Sequence, residues 1–396
     1  MRRIGMVSLF VVLLALPGLA RAQEPAPEPG VVDALKKQIE ALQAQIDELR
    51  ARLSEIEESR TAKETPATTP LLNPDISVIG DFLYTGGRTQ PSVVPVSDGG
   101  GLTPRALELR ELELAFQAPV DPFGRADVFL TFTPEGTEVE EAYLTVLSPH
   151  SLGLPPEVTP RLGKMRSSIL RINTSHTHFL PQADIPAVAR RFLGPDGMSQ
   201  PGVEMQWLLP TRSPFMELTA AAYGGSDGAV FGTNQNYLAR LRSYWDLSDT
   251  ANVELGISAA RGMLDPLGER TLLSGSFVYR WKPQKAGAYR SLWWQTEILK
   301  VADAGDLAQH PLGYYSFVQY QLNKEWYVGG RWDWTDIPTD LTAHETGLSG
   351  VLTYFPSEFT RYRLQLGDLN QPELGQFLRV MLEVTFMLGP HRAHPF

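Results

Sequence analysis

The chain has 396 residues, no cysteine, 45 acidic against 35 basic side chains and a formal net charge of −10. Without cysteine there is no disulfide framework, no thiol chemistry and no thiolate metal site. The acidic balance argues against nucleic acid as a partner.

Residues 1–22 read as a secretory signal peptide. Arg2 and Arg3 supply the basic start and Ile4 to Leu16 the apolar stretch. Pro17 and Gly18 break that stretch before a small-x-small site at Ala20-Arg21-Ala22. The apolar run is too short for a membrane anchor, and no later stretch is apolar enough for a membrane helix. A leader followed by such a chain fits a periplasmic or outer-membrane destination.

Residues 23–58 open with a Pro-rich stretch and then change to a helical period. Val32, Leu35, Ile39, Leu42, Ile46, Leu49, Leu53 and Ile56 recur at spacings of three and four, as the a and d positions of a coiled coil do. So narrow a stripe is not stable as a lone helix and needs partner chains. Ile at a with Leu at d favours a dimer by core shape. Against that, Arg52-Leu53-Ser54-Glu55-Ile56-Glu57 resembles the trimerisation motif of short coiled coils, with Arg52 pairing with Glu57 of the next chain. A homotrimer is expected. The other reading is a helix lying on the barrel or along peptidoglycan, where it would tether the outer membrane to the cell wall. Residues 59–74, polar and rich in Thr and Pro, read as a linker.

From residue 75 to 389 apolar and polar side chains alternate in runs of about ten, the pattern of a transmembrane β-barrel, and residues 75–396 are assigned to that domain. Only helices and closed barrels satisfy every backbone polar group inside a bilayer. Sixteen antiparallel strands are predicted, at about 75–86, 106–118, 124–134, 138–148, 159–169, 201–210, 214–224, 237–247, 251–261, 271–282, 290–301, 312–322, 325–336, 346–356, 360–369 and 376–388. Every second connection is short, and the others, such as 87–105, 170–200, 225–236, 262–270, 302–311 and 337–345, are longer. Even parity puts both chain ends on the periplasmic side, where the coiled coil belongs. The fold class is therefore all-β, a barrel preceded by a short helical coiled coil, embedded in outer-membrane lipid. A TonB-dependent transporter does not fit, because that architecture has 22 strands and a plug.

Alternation assigns a mixed set of charges to the lumen. The basic candidates include Lys164, Arg166, Arg240, Arg242, Arg280, Arg331, Arg361, Arg363 and Arg379; the acidic ones include Glu141, Glu204, Glu217, Glu254, Glu297, Asp333 and Glu383. Rings of one sign select ions. Alternating signs read either as a salt-bridged wall or as a transverse field that orients dipolar solutes. The longest loop, 170–200, carries Arg171, His176, His178, Asp184, Arg190 and Arg191. It resembles the third external loop of sixteen-stranded porins, and that resemblance implies that it folds into the lumen and forms a constriction, where irregular backbone lining water is tolerated. The other reading is an ordinary exposed loop or a subunit-contact loop.

Two histidine pairs suggest metal. His176 and His178 would point the same way in an extended segment, and His391 and His394 follow the last strand. Imidazole suits zinc, and Asp184 could complete a site. No other cofactor is indicated. Gly224-Gly225-Ser226-Asp227-Gly228 matches G-x-S-x-G in letters. No helix follows it, as a nucleophile elbow requires, so an enzyme is not expected.

Signal peptide, coiled coil, linker and sixteen strands together resemble the outer-membrane porins grouped with phosphate-selective porins, and also the arrangement of the sucrose porin. The resemblance is architectural and covers the whole mature chain. A narrower likeness lies in residues 161–197 and in the terminal GPHRAHPF, which look like uncharacterised outer-membrane barrel proteins described as zinc-regulated. Its matching residues are Lys164, Arg166, Asn173, His176, His178, Pro181, Arg190, Arg191, His391 and His394. The resemblance implies passive diffusion of small hydrophilic solutes or ions. The narrower likeness implies zinc-linked uptake, with zinc as ligand or cargo.

Overall fold

The computed structural model describes residues 44, 45, 48, 74–88, 106–225, 231, 234–264, 268–283, 289–303, 310–338 and 340–389. The predicted signal peptide lies outside the described residues. So do the proposed oligomerisation positions Leu35, Ile39, Leu42, Ile46, Leu49, Arg52, Leu53, Ile56 and Glu57, and also His391 and His394.

Sixteen strands are present: β1 (Asp75–Arg88), β2 (Ala106–Asp121), β3 (Gly124–Thr133), β4 (Gly136–Val146), β5 (Val158–Arg166), β6 (Ser199–Leu209), β7 (Phe215–Tyr223), β8 (Asn236–Ser248), β9 (Ala251–Met263), β10 (Glu269–Trp281), β11 (Leu292–Asp303), β12 (Leu312–Gln321), β13 (Trp326–Ile337), β14 (Asp340–Ser357), β15 (Thr360–Gln371) and β16 (Gly375–Leu388). Each pairs antiparallel with its sequence neighbour. β1 closes the barrel on β16, from Val78 opposite Leu388 to Arg88 opposite Leu378. Closure leaves no unpaired edge.

The side-chain period of two decides which face meets what. On β16, Leu378, Leu382 and Leu388 are exposed outward, while Arg379, Met381, Glu383, Thr385 and Met387 are buried inward. Exposed Leu162, Val203, Trp207, Leu255, Ile257, Trp294, Ile298, Trp332, Leu348 and Leu366 continue the outer apolar face around the barrel. A band of this kind is stable against lipid hydrocarbon.

Two of the register shifts place charged residues inside the barrel. Asp81 pairs with Glu111 and Phe82 with Leu109, so Arg110 is the extra residue. Phe129 pairs with Glu141 and Leu130 with Val139, so Glu140 is the extra residue. A bulge re-aims a side chain, and both residues make contacts with groups inside the barrel.

Residues 167–198, between β5 and β6, form the longest described connection and pack inside the barrel. The predicted long loop at 337–345 is shorter than expected, because Ile337 already pairs with Asp340. A register shift at Asp336/Ile337 lets β14 pair from Asp340 onward.

Candidate functional site

The inward segment 167–198 contains two 3-10 turns, Ile172–Thr174 and Thr177–Phe179, and one helix, α1 (Ala187–Leu193). Irregular backbone inside a membrane barrel must find hydrogen bonds other than its own, and the wall supplies them. The Arg240 guanidinium donates to the Ser168 carbonyl (2.9 Å), Arg361 to that of His178 (2.6 Å) and Arg363 to that of Leu180 (2.7 Å). The Ile172 amide donates to Glu297 (2.9 Å), the Ala183 amide to Gln365 (2.9 Å) and the Ala187 amide to Asp333 (3.0 Å). Strands β8, β11, β13 and β15 thus hold successive parts of the segment.

Apolar packing does the rest. Ile169, Leu170, Ile172, Leu180, Val188, Phe192 and Leu193 form one buried cluster with Leu238, Leu272, Leu299, Val301, Tyr315 and Phe317 of the wall. Gly313 marks the closest approach. A Cβ there would lie 2.7 Å from Val188 of α1 and 2.4 Å from Thr335.

The predicted charged residues take part in this seam, and their partners are specific. Asp184 accepts from Arg331 (3.0 Å), Gln365 (2.7 Å) and Arg379. Burial opposes ionisation of Asp184, but Arg331 and Arg379 hold its carboxyl well below the usual range. Arg190 and Arg191 reach Glu345, and Arg191 also reaches Glu373 at 2.8 Å. Glu383 gathers Arg110 (2.5 Å) and Arg363 (2.8 Å). Arg166 is buried and binds Glu140 and the Asp196 carbonyl (2.9 Å).

Lys164 is a correction. It shares the strand face of exposed Leu162, opposite to Arg161 and Met165, and its ammonium bonds Glu138 (2.9 Å) and the Val139 carbonyl (2.6 Å). Alternation puts it on the side away from the inward segment, so it does not line the interior.

A cavity of about 310 Å³, lined in part by the segment itself, also meets Arg161, Arg240, Arg242, Glu217 and Trp293 of the wall. Arg171 bonds Glu254 (3.2 Å) and Gln295 (3.0 Å), and Arg242 bonds Glu217 (2.9 Å). Arg280 lies over the Trp293 ring, 5.4 Å from its centre. Guanidinium groups outnumber carboxylates on this lining.

The histidines sit differently from expectation. A 3-10 turn, not an extended segment, carries His178, and the two rings are 5.7 Å apart. His176 faces carboxylates on both sides, with Nδ1 2.7 Å from Glu113 and Nε2 2.9 Å from Glu141. Although burial disfavours its charge, Glu140 and Glu113 hold His176 well above the ordinary histidine range. Burial pushes His178 down to about 4. Asp184 is occupied by Arg331 and Arg379 and does not complete a histidine site.

Alternation missed Arg110 and Glu140, because each occupies a bulge and departs from the period of two. It also missed Glu111 and Glu113, whose signal was available in the alternation of β2.

No protein-family model matches the chain. A relative from Aquifex aeolicus (strain VF5), an uncharacterized protein, is 27% identical over 84% of this chain and 82% of its own. Among solved structures, the anion-selective porin from Comamonas acidovorans superposes with a TM-score of 0.53 at 9% identity, covering 80% of this chain and 99% of that one. The outer membrane channel DcaP of Acinetobacter baumannii gives 0.50 at 14% identity, covering 80% and 96%. OmpF of Salmonella typhi gives 0.54 at 8% identity, covering 80% and 98%. At these identities the likeness is one of fold: a closed sixteen-stranded antiparallel barrel whose structural neighbours are outer-membrane porins.

Proposed function

We propose that this chain is an outer-membrane channel for passive diffusion of small hydrophilic solutes or ions, with residues 167–198 setting the passage. The observation that carries this reading is a closed barrel with an apolar outside, holding a hydrogen-bonded segment that lines an arginine-rich cavity. Fixed charges on the lining of such a passage bias which ions pass. The porin neighbours support the reading at the level of fold. The resemblance to the phosphate-selective group extends it only in architecture, with a cleaved leader and a periplasmic coiled coil ahead of the barrel.

The test is single-channel recording of the purified protein in planar bilayers under a salt gradient. Discrete conductance steps with a reproducible reversal potential are expected. A folded barrel that inserts without any ion flow would end the channel reading.

A further inference from the structure

One cluster is not needed by the channel reading. Glu113 of β2, Glu140 of β4 and His176 each offer a ligand atom, and these atoms lie within 4.8 Å of one another. His176 Nδ1 is 2.7 Å from Glu113 Oε2 and 3.3 Å from Glu140 Oε2. A tetrahedral ion with bonds of about 2.0–2.1 Å holds its ligand atoms roughly 3.3–3.4 Å apart. The separation from Glu140 matches such an edge, and the one from Glu113 is a hydrogen bond that an entering ion would replace and lengthen.

A second observation is independent of the carboxylates. His178 is fully buried, and neither ring nitrogen has a hydrogen-bond partner among the described residues. A buried polar group without a partner is costly. Its Nδ1 lies 3.6 Å from the same Glu113 oxygen and 3.6 Å from Glu111, beside the three-residue group, so that a shift of the ring toward the group would make it the fourth ligand.

We propose that Glu113, Glu140, His176 and His178 form a binding site for one divalent transition-metal ion of the zinc kind. Two imidazoles and two carboxylates with no sulfur suit zinc, whereas calcium and magnesium prefer all-oxygen shells. His176 Nε2 meets Glu141 at 2.9 Å. That is the outer carboxylate which commonly orients a metal-binding imidazole.

Charge points the same way. Asp81, Glu111, Glu113, Glu140, Glu141 and Glu383 share this side of the lumen with Arg110, Arg166, Arg361 and Arg363. Once His176 has given up its proton to act as a ligand, a dication balances the six carboxylates against the four guanidiniums. Ser175 and Phe179, the chain neighbours of His176 and His178, line the adjoining cavity. Bound there, it fastens the inward segment to β2 and β4.

The experiment uses the full chain in a His391→Ala, His394→Ala background, which removes the terminal imidazoles. After treatment with chelator it is titrated calorimetrically with zinc chloride alone. One ion per chain with micromolar or tighter affinity is expected. Glu140→Gln and His176→Gln should each weaken binding at least tenfold while keeping heat-modifiable mobility. No saturable binding at micromolar zinc, or unchanged binding in both variants, overturns the proposal. If the variants do not fold, X-ray absorption on the zinc-loaded background protein decides. Two imidazoles with oxygen ligands support the site, and fewer than two refute it.

Discussion

Asp184 accepts a hydrogen bond from Arg331 at 3.0 Å, joining the middle of the inward segment to β13. Breaking a buried ion pair on one side costs about 3–5 kcal/mol, and the 20% exposure of the Asp184 side chain places this one at the lower end. Asp184→Ala should lower the temperature at which the folded band converts on semi-native gels, and should make channel current noisier. An unchanged midpoint with quiet current would mean that the segment is held without this joint.

The same pair gives an acid dependence. Asp184 titrates below its unfolded value of about 3.9, because Arg331 and Arg379 overcome the effect of burial. A depressed carboxylate stabilises the fold fully above the unfolded value and loses that contribution as pH falls through the folded one. Protease cutting within 167–198 should therefore rise as pH drops below about 3.9. Asp184→Asn should show a smaller acid response than the wild type.

If the segment sets the passage, deleting residues 174–196 should raise single-channel conductance severalfold. The same deletion uncovers Leu299, Tyr315 and Phe317 on the lumen wall, so dye binding to exposed apolar surface should increase. Equal conductance in the two proteins would place the segment out of the ion path.

Arg242 lines the cavity beside Glu217 at 2.9 Å. Arg242→Glu replaces a cation with an anion next to an existing carboxylate. The reversal potential should move toward cation preference, and more so at low salt, where screening is weak. Arg190 and Arg191 are bound to Glu345, so reversing them should mainly loosen α1 and lower the conversion temperature.

Gly313 faces Val188 at a distance that leaves no room for a side chain. Gly313→Val should cost about 1–3 kcal/mol through overpacking. Pairing it with Val188→Ala should recover part of the loss, which a double-mutant cycle on conversion midpoints measures.

If the a/d stripe of residues 31–58 assembles a trimer, deleting it should weaken or abolish that trimer in mild detergent while leaving the barrel heat-modifiable. A monomeric intact protein would remove the role given to Arg52 and Glu57.

The barrel was legible in the sequence because the bilayer imposes one rule on every strand. Outward side chains must be apolar at every second position, so Leu378, Leu382 and Leu388 announce their face without knowledge of any partner. Strand number and the length of segment 167–198 follow from the same spacing. What the segment touches did not follow. Asp184 meeting Arg379, or His176 lying between Glu113 and Glu141, depends on strands far apart in sequence, and alternation carries no information about facing walls. Lys164 and Glu140 show a second limit. A pattern of period two assigns a face only while the register is unbroken, and one extra residue at a bulge turns Glu140 inward. The tertiary structure alone decided that this wall carries both the carboxylates and the buried histidines, because only inward folding of the segment brings His176 within reach of Glu113 on β2 and Glu141 on β4.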